Sequence, residues 1–166
     1  LGVPFSDPIA EGPVIQCASE RALQNGTTLA GIFDLVRRLR KETDVPLLLM
    51  MYLNTIFCYG TDRFFATCQE CGIDGVIVPD IPFEEKDEIQ GSADAHNVHN
   101  ISLVTPASED RIQMIASEAT GFLYCVSSNG VTGVRSEFQT NFAPFFEKIH
   151  KYAKVPCAVG FGISGP

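Results

Sequence analysis

The chain reads as an α/β protein made of repeated strand–helix units, with a (β/α)8 barrel as the favoured architecture. Three observations carry this. First, apolar strands and helical stretches alternate along all 166 residues with no Ser/Gly linker, charge block or shift of composition. Strand midpoints near 48, 77, 102, 124 and 158 leave room for one helix in each crossover, which forces parallel strands joined by right-handed connections. Second, polar residues or glycines follow every strand: Asn54, Asp80, Thr105-Pro106, residues 127–133 and residues 160–164. Such a ring of loops surrounds the mouth of a barrel. Third, no G-x-G-x-x-G follows a strand, so the open doubly wound sheet is the weaker alternative.

Leu1–Val3 read as the tail of a strand. Residues 4–16 hold Pro4, Pro8 and Pro13 with Asp7 and Glu11, a stiffened acid-bearing loop at the strand's C-terminal end. A helix is expected from about Cys17 to residue 41, interrupted at Asn25-Gly26, with Thr27 or Thr28 capping its second half. VPLLLMMY (45–52) is an apolar strand of the fully buried kind. Thr61 caps a helix to Cys71, and Gly72 ends it. Strands follow at 75–80, 100–105, 121–127 and 156–162, with helices expected at 84–90, from Ser108 to about Ser117, and at 141–153. The chain is expected to form one barrel domain.

Composition narrows the function. The formal charge is -8, from 20 acids against 12 bases, which repels nucleic acid phosphates. RRLRK at 37–41 suits the end of a helix better than a DNA footprint. The apolar run at 45–53 is too short to span a bilayer. The six cysteines suit a reducing compartment, the cytoplasm, or a plastid stroma if a transit peptide has been lost. Cys68 and Cys71 form a C-x-x-C, but with Phe64 they fall at i, i+4 and i+7, one apolar stripe of a helix, and no second pair completes a zinc set. His96 and His99 lie in a polar turn and His150 ends a helix. No Ser/His/Asp order or H-E-x-x-H occurs, so cofactor-free acid–base chemistry is the simplest enzyme reading.

GFGIS (160–164) is the best anion candidate. Gly160 and Gly162 lack Cβ atoms and permit close approach of a ligand to backbone N–H groups, although a plain turn would give the same letters. SSNGVTG (127–133) reads as a lid or as a surface loop, with Arg135 behind it either a phosphate neutraliser or a solvated base. Tyr52, Tyr124 and Asp80 stand at strand ends, where a tyrosine can line an apolar pocket and still present a hydroxyl.

LGVPFSDPIAEGPVIQ at 1–16, LLLMMYLN at 47–54, GVIVPDIPFEE at 75–85, GFLYCVSSNGVTGVR at 121–135 and PCAVGFGIS at 156–164 together resemble the alpha subunit family of tryptophan synthase, in order and over essentially the whole chain. The resemblance implies a (β/α)8 barrel, here running from the end of strand 2 to strand 7. It also implies retro-aldol cleavage of indole-3-glycerol phosphate to indole and glyceraldehyde 3-phosphate, the indole passing to a beta subunit. No cofactor is implied in this subunit; pyridoxal phosphate belongs to the beta partner, and the assembly is an alpha2beta2 tetramer.

By the same resemblance, Glu11 takes the place of the second catalytic acid, where the family has aspartate. The first would immediately precede Leu1. Tyr124 is placed to touch a substrate hydroxyl. Met50, Tyr52, Ile77 and Phe161 match positions lining the indole pocket, and Thr132 belongs to the lid. Gly133, Gly160 and Gly162 match positions whose backbone surrounds the phosphate. Asp7, Pro8, Asn54, Phe57 and Pro82 match the face turned to the beta subunit. Relative to the family the chain is truncated at both ends, so the 166-residue piece alone is expected to be inactive. The rival reading is a catalytically impaired alpha-like barrel that regulates or binds the beta subunit. A distinct phosphate-sugar lyase on the same barrel is a third class.

Overall fold

The computed structural model describes residues 1–9, 11–108, 110–126 and 142–160. The chain divides into two compact units, residues 1–9 with 15–100, and residues 10–14 with 101–166.

The first unit opens as a strand stub. Gly2 bridges Met50 in parallel, and the Val3 N–H donates to the Met50 carbonyl at 2.9 Å. Helix α1 (Pro13–Gln24) begins four residues earlier than its sequence suggests. Pro13 is compatible with this because its missing N–H falls in the first turn, where no intrahelical partner exists. No residue of α1 is buried. Helix α2 (Leu29–Leu39) starts where Thr28 caps it, its hydroxyl accepting from the Gly31 N–H at 3.2 Å. Strand β1 (Leu48–Met50) leads into helix α3 (Leu53–Tyr59). The sequence reading has a loop there, so the position of Phe57 is corrected: it lies on a helix. Helix α4 (Thr61–Cys71) ends on Gly72, which is left-handed at φ 81° and can be so without a Cβ penalty.

Strand β2 (Gly75–Ile77), a 3-10 turn at Phe83–Glu85, helix α5 (Asp87–Ala95) and strand β3 (His99–Asn100) complete the unit. The strands are parallel in the order β1-β2-β3, with Met50 opposite Ile77 and Val76 opposite Asn100. Period-two alternation sends Leu49, Met51, Val76 and Val78 into the core with Ile32, Phe33, Val36, Ile56, Phe64 and Phe65. Cys68 and Cys71 join that core, as the stripe predicts. Burial pushes the Cys68 thiol up to about 12, with Cys71 beside it adding to the shift, so the thiol stays protonated at physiological pH. His96 closes α5 against α4, its two ring nitrogens bonded to Asp62 and Gln69 at 3.1 and 3.2 Å.

In the second unit, strands β4 (Leu103–Val104), β5 (Leu123–Val126) and β6 (Cys157–Gly160) form a parallel sheet in that order. The single strand expected at 100–105 is thus split into β3 and β4, which belong to different sheets. Helix α6 (Ile112–Glu118) follows a 3-10 turn at Pro106–Ser108, four residues later than Ser108 suggests. The Ser108 hydroxyl accepts from the Thr105 N–H at 3.3 Å, so it closes the turn instead of capping the helix. Helix α7 (Phe142–His150) packs on α6, burying Phe145 and Ile149.

Candidate active site

The first unit gathers its candidates at the C-terminal ends of β1 and β2. Met50 and Ile77 are register partners, and Tyr52 follows two residues after Met50, on the same face. Ile77 and Tyr52 are buried yet stand apart from the helix-facing core cluster. The strand alternation therefore places Met50, Tyr52 and Ile77 on the face opposite the helices, as an apolar lining requires.

Tyr52 does more than line a wall. Its ring stacks on Phe5 with centroids 4.9 Å apart and planes 24° from parallel. Its hydroxyl oxygen accepts from the Ile9 backbone N–H at 3.0 Å. The opening loop is therefore held at two points, and Asp7 and Pro8 lie between them. Asp7 is exposed and accepts from the Ser6 hydroxyl. Phe5 is a residue that sequence reasoning missed; its signal was a lone aromatic inside a polar, proline-rich loop.

Asp80 has a specific task. Its carboxylate accepts from the Leu53 N–H at 3.0 and 3.2 Å, satisfying a free donor at the start of α3 where Tyr52 supplies no side-chain cap. The helix so fixed exposes Asn54 and Phe57, the latter 46% accessible. Pro82 is exposed at the head of the 3-10 turn that follows β2.

The second unit joins Tyr124 and Gly160. A Cβ built on Gly160 would lie 1.8 Å from the Tyr124 hydroxyl oxygen and 2.2 Å from its Cζ. Glycine at this position is what lets the phenol lie across β6. Burial raises the Tyr124 pKa, so the hydroxyl remains a neutral donor and acceptor at physiological pH. Burial, with Cys157 close by, likewise pushes the neighbouring Cys125 thiol up to about 12. Glu11 is half-buried just ahead of α1. Thr132, Gly133, Phe161 and Gly162, together with Arg135, lie outside the described residues. Among the described residues, no three His, Cys, Asp or Glu side chains group to hold a metal ion, and no helix is long and apolar enough to cross a membrane.

Parallel strands followed by helices, with polar groups collected at the strands' C-terminal ends, define an α/β protein of the (β/α)8-like class, represented here in part. The family model of the tryptophan synthase alpha chain matches residues 1–166. A tryptophan synthase alpha chain of Alkaliphilus metalliredigens is 48% identical over 164 residues, covering 99% of this chain and 62% of that protein. One from Caldanaerobacter subterraneus is 43% identical over 166 residues, covering 100% and 63%. Among solved structures, one from the tryptophan synthase a2b2 complex of Pyrococcus furiosus has a TM-score of 0.88 at 35% identity, covering 98% of this chain and 66% of that one. A structure from Aquifex aeolicus has a TM-score of 0.88 at 39% identity, covering 98% and 62%. The chain belongs to the tryptophan synthase alpha chain family, and it spans less than two thirds of the length of the curated relatives named here.

Proposed function

We propose that this chain is part of a lyase that cleaves indole-3-glycerol phosphate to indole and glyceraldehyde 3-phosphate. The observation that carries the proposal is the family match along residues 1–166, which includes every motif at the strand ends. The face bearing Met50, Tyr52 and Ile77 supports it, because an indole needs a flat apolar wall.

In this reading Glu11 accepts the indole N–H hydrogen bond, which strengthens as protonation at C3 leaves the ring electron-poor. Tyr124 offers its neutral hydroxyl to the glycerol side chain. Once C3 of the ring is protonated, the bond from C3 to the side-chain carbon breaks as the hydroxyl on that carbon loses its proton; the bonding electrons return to the ring, giving indole and the aldehyde. Backbone groups at Gly133, Gly160 and Gly162 hold the phosphate.

The test is indole release by the full-length protein. Glu11→Gln should lower kcat at least about 10²-fold with KM nearly unchanged, since the interaction strengthens mainly in the transition state. Glu11→Asp should keep or raise activity. Parent-like turnover in E11Q would remove Glu11 from the mechanism. If the parent is inactive and E11D active, the impaired-barrel reading replaces this one, because one methylene displaces a carboxylate by about 1 Å and such misplacement costs roughly 10²-fold.

The partner in this proposal is a beta subunit, in an alpha2beta2 assembly. Supporting it, Asp7, Asn54, Phe57 and Pro82 are all exposed on the first unit, and an uncovered Phe57 is a natural anchor. Phe57→Ala should weaken binding to a beta subunit by roughly 1–3 kcal/mol in titration calorimetry, without loss of folding. Equal affinity would move the contact face elsewhere.

A further inference from the structure

We propose that Tyr52-Leu53 is the joint on which the partner face is assembled: the Tyr52 side chain holds the turn from Phe5 to Ile9, the Asp80 carboxylate holds the Leu53 N–H, and the exposed segments beside them are set before a partner arrives.

The inference rests on the proposed beta-subunit partner and deepens it, by naming two positioning residues, Tyr52 and Asp80, that act without offering the partner a surface. Every residue involved lies in the first unit.

The face has parts far apart in sequence: Asp7-Pro8, Asn54 with Phe57, and Pro82. Each is tied close to the joint. Asp7 and Pro8 lie between Phe5, stacked on the Tyr52 ring at 4.9 Å, and Ile9, whose N–H donates to the Tyr52 hydroxyl at 3.0 Å. The Ser6 hydroxyl bond to Asp7 is local to that turn and does not join it to the sheet. Asn54 and Phe57 stand three positions apart on α3, so they share a side of the helix. Leu53 opens α3, and both Asp80 oxygens accept from its N–H, at 3.0 and 3.2 Å. Ile56 is fully buried, which fixes the rotation of the helix and leaves Phe57 outward. Pro82 follows Asp80 by two residues, between Ile81, packed on the core, and the 3-10 turn.

Sheet pairing ends at this joint. The Met51 N–H donates to the Ile77 carbonyl at 3.0 Å, and beyond it Asp80 is the tie from the end of β2 to the start of α3. Tyr52 is 4% exposed and Asp80 half-buried, so their effect on a partner is geometric. A face of separate segments that ordered only on contact would lose affinity to that ordering; ties already made in the free chain remove the loss.

Titration calorimetry of the full-length protein against a tryptophan synthase beta subunit tests this. Tyr52→Phe keeps the ring and removes the oxygen, and should weaken binding about three- to tenfold, as loss of one hydrogen bond implies. Asp80→Ala should weaken it about fivefold, as loss of a helix cap implies. Asp80→Asn keeps an acceptor for Leu53 and should recover most of the affinity. A double-mutant cycle separates positioning from contact: Phe57→Ala should cost at least about twofold less affinity in the D80A background than in the parent, because a loosened α3 no longer presents Phe57. Amide exchange in the free protein should quicken at Ile9 in Y52F and at Leu53 in D80A, at least about threefold each.

Parent-like affinity in either Y52F or D80A overturns the inference, as does unchanged exchange at Ile9 or Leu53. Full additivity of F57A with D80A overturns it too. So does a loss in D80N equal to that in D80A, which would make the Asp80 charge a direct contact. These failures leave the partner reading intact when the parent binds and F57A binds less tightly. If the parent binds no beta subunit, or F57A binds as tightly as the parent, the partner reading itself fails and takes the inference with it.

Discussion

The two ends of the first unit's sheet are built on opposite plans. At the end where the strands begin, one cation satisfies almost everything around it. Arg40 donates from Nε and Nη2 to the Gly72 carbonyl at 2.8 and 2.6 Å, from Nη1 to the Val45 carbonyl at 2.6 Å, and from Nη2 to the Asp74 carboxylate at 2.6 Å. That carboxylate also accepts from the Leu47 N–H at 2.7 Å, while the Asp74 carbonyl accepts from the His99 N–H at 2.9 Å. The C-terminus of α2, the C-terminus of α4 and the starts of β1, β2 and β3 are thus closed onto each other.

At the end where the strands finish, separate contacts hold separate elements. Asp80 caps α3 and Tyr52 holds the opening loop. Asn54, Phe57 and Pro82 are exposed there. The difference teaches where stability and chemistry reside. A saturated network resists any change, whereas loops tied at a few points can meet a ligand or partner and adjust.

The largest effect should come from the closed end. Arg40→Ala removes several charge-assisted bonds and leaves carbonyls without donors, so it should destabilise by about 3 kcal/mol in urea unfolding. Its kcat for indole release, measured well below the melting temperature, should match the parent's. A kcat loss exceeding the stability loss would break the division between the ends.

Gly160→Ala sharpens the contrast in the second unit. The added methyl must displace the Tyr124 phenol, so a destabilisation of roughly 1–3 kcal/mol should accompany a kcat loss that Arg40→Ala lacks. If activity survives with only stability altered, Tyr124 serves packing and not substrate.

The smallest effect should follow Asp80→Ala. Loss of a cap costs about 1 kcal/mol, confined to α3, and should be read as faster amide exchange from Leu53 to Thr55. Weaker beta-subunit binding in the same variant would link that cap to the exposed Phe57.

Much of the fold and part of the site were legible in the sequence because their signals are local or periodic. Thr28 announces a helix start through its own hydroxyl, and Gly72 a helix end through a φ of 81°. The apolar runs marked β1, β2, β5 and β6, but the unbroken apolar letters at 47–52 did not divide the core-facing Leu49 and Met51 from Met50 and Tyr52; the pleat of the folded strand did. The stripe of Phe64, Cys68 and Cys71 predicted their burial. The motif set alone sufficed to place the chain in its family.

What the tertiary structure decided depends on residues distant in sequence. LNTIFCY at 53–59 has no strong helical pattern of its own; it is helical where Asp80, 27 residues away, satisfies its first turn and Ile56 is fully buried. The closure of Arg40 on Asp74 spans 34 residues and the hold of Tyr52 on Ile9 spans 43. Gly160 reads as a place where backbone can meet an anion; that its missing side chain also makes room for the Tyr124 phenol is visible only in the fold. Local energetics write themselves into neighbouring letters. A hydrogen bond between distant elements exists only once folding has brought its donor and acceptor together, so nothing beside either residue in the sequence announces it.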